Sequence, residues 1–85
     1  MKALAQFVKQ RNAFNSLFGS KPLSLTVAAD RQRIADIIDS ALSPENLTCD
    51  GELSAAQVRS RYKELTTVAR ELKELDPTVK FYDFA

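Results

Sequence analysis

Four cations recur in the last third of the chain at a spacing that places them on one side of a helix. At about 100° per residue, Arg59, Lys63, Arg70 and Lys73 fall within a narrow arc, with Thr66 between them. Only Arg70 has an acid four residues on, Glu74, in the less favourable order for a helical ion pair. Cations in such a line suit a nucleic-acid phosphate backbone or an acidic protein surface, and Arg61 and Arg31 extend the patch in that reading. The plainer reading is a solvated helix face. The sequence pI of about 7.9 falls below the value above about 9 that marks a dedicated nucleic-acid binder. Arg11 is a second unusual cation, because it interrupts the apolar row Leu4, Phe7, Phe14 and Phe18. Its stem can cover apolar surface while the guanidinium reaches water, Asp36 or Asp39. Alternatively it anchors a partner interface, where arginine and aromatic residues are enriched.

Other chemistry has few residues to work with. The chain has no His and one Cys, which supports neither zinc nor a redox pair, so no metal and no cofactor are expected. Asp36 and Asp39 stand three apart on a polar helix face, with no sign of the cleft that would separate two carboxylate pKa values for acid–base work. The expectation is therefore a protein that is not an enzyme. The stretch Asn46 to Gln57 partly resembles an EF-hand calcium loop, with Gly51 at the sixth position, Leu53 at the eighth and Ser54 at the ninth. It departs from that pattern at Asn46, Thr48 and Gln57, the last of which cannot supply the bidentate carboxylate. Asp50-Gly51 reads more simply as a turn.

Three helical patterns must position these side chains. The first spans about residues 2–18, with Gly19 as its stop and Pro22 beyond, and Leu4, Phe7, Val8, Phe14, Leu17 and Phe18 on its apolar face. The second spans about 26–42, with Thr26 or Ser24 as cap and Val27, Ile34, Ile37, Ile38, Ala41 and Leu42 as stripe. Ser43-Pro44 ends it and can open one short turn through Leu47. The third spans about 55–75. Ser54-Ala55-Ala56-Gln57 spells a capping box, and Leu53 and Val58 stand where a hydrophobic staple belongs. Asp76-Pro77 stops it. The fold class expected is all-α, a three-helix bundle or open helical array forming one domain over residues 1–85.

The tail, residues 78–85, is an extended aromatic segment. Alternation puts Val79 and Phe81 on one side and Tyr82 and Phe84 on the other. It either folds back over the helices or serves as a docking element through Phe81, Tyr82 and Phe84.

An 85-residue chain that is 45% hydrophobic and 27% charged is an ordinary globular domain rather than a disordered one. A chain this short buries only about 60–65% of its unfolded surface, so its aromatics go into a modest core or into a partner. No stretch approaches the ~20 apolar residues of a membrane span. The start of the chain opens like a signal peptide, but Lys9 and Arg11 break it, so it reads as helix and an intracellular, cytoplasmic setting is expected. Charge is uneven: Met1 to Ala29 holds four cations and no acid, while Asp30 to Gln57 holds two cations and six acids. That asymmetry marks a binding surface, a head-to-tail contact between copies, or neutralisation within the fold.

These features converge on a small non-enzymatic interaction or regulatory protein that binds a macromolecular partner, with homo-oligomerisation as one form of that partnership. Nucleic-acid binding through the basic row is the second reading. The third is a small anionic ligand held at a subunit interface by Arg31, Arg59 and Arg61. In overall texture, a compact helical chain with charged faces and an aromatic end, the sequence resembles small accessory proteins of tailed bacteriophages.

Overall fold

The computed structural model describes residues 2–82. It is all-helical, with α1 (Lys2–Ser16), α2 (Ala28–Ala41), the single-turn α3 (Pro44–Leu47) and α4 (Ala55–Leu75), and no strand among the described residues. Helix α4 is the long central element: α1 and α2 each pack along it, and α3 bridges α2 and α4. The core is one cluster in which Leu4 and Val8 of α1 meet Ile34, Ala35 and Ile38 of α2 and Val68, Ala69 and Leu72 of α4. These residues recur three and four apart on each helix, which is the spacing that gathers one apolar stripe.

Local chemistry sets the helix ends. Ser54 accepts from the Gln57 amide at 3.3 Å while the Gln57 side chain accepts from the Ser54 N–H at 2.9 Å, so the expected capping box starts α4. At the end of α1 the chain tightens into i→i+3 bonds. Gly19 then takes φ 71° as the Ser20 N–H reaches back to the Asn15 carbonyl, a Schellman closure that glycine makes without a Cβ penalty. The helix proper ends at Ser16, two residues before the expected Phe18, because those last residues belong to the tighter turn.

The start of α2 differs more. Its N-cap is Val27, with no side-chain cap, rather than Thr26 or Ser24. The two hydroxyls bond each other at 2.7 Å instead. Asp30, inside the first turn, accepts the Ser24 N–H at 3.0 Å, a carboxylate where the helix dipole favours one. The N-terminus of α1 is capped across the fold, where Glu71 of α4 accepts the Leu4 N–H at 3.1 Å.

Two side-chain amides hold the extended segments. Asn12 donates to the Leu23 carbonyl at 3.0 Å and accepts the Leu23 N–H at 2.7 Å, pinning the connection from α1 to α2. Gln32 does the same for the tail, donating to the Lys80 carbonyl and accepting the Lys80 N–H, each at 2.9 Å. Each amide thus copies the two-bond pattern of a strand pair from a helix surface.

The tail folds back over the helices. Val79 is 3% exposed inside the core cluster and Phe81 packs against that cluster, while Tyr82 is 78% exposed. Phe84 lies outside the described residues.

Candidate functional site

The residues expected to form one basic surface separate into four groups. Arg59, Lys63 and Arg70 keep their places on the exposed face of α4. Lys73 is drawn to the tail, donating from Nζ to the Val79 carbonyl at 2.7 Å. Arg31 is a fastening inside the fold. Its Nε contacts Asp76 Oδ2 at 2.6 Å and Nη1 donates to the Leu25 carbonyl at 2.9 Å, so it does not extend the patch. Arg61 does not extend it either. It is half-buried on the far side of α4, in the apolar series Arg61, Leu65, Val68, Leu72. That series was open to inspection in the sequence, and it places Arg61 about 180° from the row.

Asp76 carries a strongly perturbed carboxyl. Hydrogen bonds from the Thr78 hydroxyl, the Arg31 guanidinium and the Thr78 N–H hold its carboxyl at about 2, below the usual 3.8. It ties the end of α4 to α2 and the tail at one point.

Arg11 reaches neither Asp36 nor Asp39. Asp36 accepts from Gln32, and the buried Asp39 accepts the Tyr82 N–H at 2.9 Å. The Arg11 guanidinium carbon sits 5.1 Å from the centre of the Phe14 ring, within cation–π range. Phe14 in turn meets Phe18 at 5.2 Å between centroids, tilted by 55°. Phe14, Leu17 and Phe18 are 50%, 79% and 71% exposed. The expected apolar face of the first helix therefore divides. Leu4 and Val8 enter the core, while the last turn carries three large apolar side chains out into solvent.

The stretch Asn46 to Gln57 leaves α3 after Leu47, turns through Cys49, Asp50 and Gly51, and enters α4 at Ala55. Thr48 Oγ1 donates to the Pro44 carbonyl at 2.9 Å, and Cys49 and Asp50 take φ of 50° and 58°. Gly51 follows at 86°, before the Ser54 cap. Cys49 is half-buried with its thiol 3.7 Å from the Asn46 carbonyl. No helix among the described residues is long and apolar enough to cross a membrane.

Compared with known proteins, the chain matches no family model, no curated protein and no solved structure.

Proposed function

We propose that the protein is a non-enzymatic interaction module of the cytoplasm that docks onto a protein partner with the C-terminal end of α1. The observation that carries this reading is the exposed trio Phe14, Leu17 and Phe18, backed by Arg11 on the Phe14 ring. Large contiguous apolar side chains are costly to leave in water, and aromatic residues with arginine are the types that dominate interface energetics. Gly19 and the i→i+3 bonds before it hold the trio on a closed turn, so little ordering entropy is lost on binding. The partner surface that fits is apolar with an acidic rim, since Lys2, Lys9, Arg11 and Lys21 are the only charged residues before Asp30.

Replacing Phe14, Leu17 and Phe18 together by Ser tests it. Pull-down from lysate should lose its specific partner, while the far-UV circular dichroism stays helical because none of the three lies in the core. Undiminished capture by a folded variant would refute the reading.

Nucleic-acid binding by α4 is the second reading, supported by Arg59, Lys63 and Arg70, which are exposed and make no ion pair with a described residue. Three phosphate contacts would give a log–log salt slope of roughly −3 for duplex DNA. A titration showing that slope, and losing it in the double variant Arg59→Glu, Lys63→Glu, would favour this reading over the first.

A further inference from the structure

We propose that the groove where α1 and α2 diverge over α4 binds a small organic oxyanion, a carboxylate or phosphate ester with an apolar body. Arg11 and Arg61 grip its charged group. Two adjoining cavities meet there. One, of about 240 Å³, lies between Phe7 and Arg11 of α1, Ile37 of α2, and Arg61, Leu65 and Val68 of α4. The other, of about 380 Å³, shares Arg11, Ile37, Ala41 and Arg61 and continues toward Asn46 and Cys49. Both arginines line both cavities, so two cations from different helices border one small space.

Neither arginine sits where helix register calls for a cation. Arg11 follows Leu4 and Phe7 on the core-facing side of α1, and Arg61 precedes Leu65, Val68 and Leu72 on that of α4. Breaks in a local pattern of this kind concentrate at functional sites. The Nε of each is buried and has no hydrogen-bond acceptor among the described residues. Neither guanidinium forms an ion pair with the acids that border the cavities, Glu64 in the smaller and Glu45 and Asp50 in the larger. Like charges bordering one small space repel, and a buried N–H needs an acceptor.

An oxyanion answers both demands. It offers several acceptor lone pairs, matches the planar fork of a guanidinium, and neutralises the repulsion. The smaller cavity sets two cations against one carboxylate, so the charged group belongs at that end, with its hydrocarbon against Phe7, Ile37, Leu65 and Val68. The concave space between three helices suits a molecule of a few carbons better than a peptide.

The test is a titration followed by the Nε–Hε resonances of Arg11 and Arg61 in ¹⁵N–¹H spectra. The probes are hexanoate, phenyl phosphate and inorganic phosphate, each against sodium chloride of equal ionic strength. The expected result is a saturable shift of both resonances together with at least one organic probe, tighter than with inorganic phosphate. Arg61→Leu completes the apolar stripe of α4, so it should melt no lower than the parent and bind at least tenfold more weakly. Arg11→Met tests the other helix in the same way. The proposal is overturned if no probe moves either resonance beyond the chloride control, if inorganic phosphate alone does so, or if both folded variants bind like the parent. Shifts produced only by an acidic peptide would likewise overturn it and assign the arginines to a protein partner.

Discussion

Asp76 ends α4 and fastens three segments at once, so its protonation has consequences beyond one hydrogen bond. Its carboxylate accepts from the Thr78 hydroxyl and N–H and from Arg31 Nε, and these donors hold its pKa at about 2. A carboxyl depressed in the folded state stabilises that state fully above its unfolded value, and the contribution is lost as pH falls through the folded one. The melting temperature should therefore lose the Asp76 contribution between about pH 4 and pH 2. Asp76→Asn should melt lower than the parent at pH 7, with the difference narrowing across that window. A gap of constant size from pH 7 to pH 2 would show that the charge at position 76 is immaterial. Arg61 teaches the complementary lesson about single residues. Counted with neighbouring cations it looked like part of a basic row. Counted with Leu65, Val68 and Leu72 it stands on the apolar side, as Arg11 visibly does among Leu4, Phe7 and Phe14.

At the scale of elements, what could be read was whatever has a local cause. The Ser54–Gln57 capping box, the Gly19 stop and the Pro44 turn each depend on residues within a few positions, and each appears where its residues stand. The start of α2 departs from a hydroxyl cap because Asp30 accepts the Ser24 N–H across six residues and the Ser24 and Thr26 hydroxyls bond each other. The amide clamps of Asn12 and Gln32 reach 11 and 48 residues away and leave no period in the sequence. Alternation in the tail is legible, and the fold buries Val79, packs Phe81 on the core and leaves Tyr82 exposed. Val79→Ala should then cost about 2 kcal/mol, in the range of core truncations. Tyr82→Ala should stay within about 0.5 kcal/mol, as exposed substitutions do. Urea denaturation midpoints check both. Equal effects at the two positions would mean that the tail does not contribute to the core as its burial indicates.

For the whole molecule, the question is whether the exposed end of α1 meets another copy or a different protein. The charge distribution allows a head-to-tail contact, since cations alone occupy the first 29 residues and acids dominate the next 28. Within one molecule, however, part of that acidity is already engaged. Asp30 accepts the Ser24 N–H and lies 3.9 Å from Arg33, Asp36 accepts from Gln32, and Asp39 is buried under the tail. The other large exposed apolar residues among those described, Val27, Tyr62, Leu75 and Tyr82, are scattered along the sequence outside α1. Stable dimers bury about 800 Å² on each partner over some 20–30 residues, which three side chains at one helix end do not supply by themselves. Light scattering after gel filtration should therefore return a mass near 9.5 kDa at both low and high salt. A dimer present only at low salt would assign the charge asymmetry to self-association. A dimer at both salts that the triple Ser variant dissolves would make the partner of α1 a second copy of this chain.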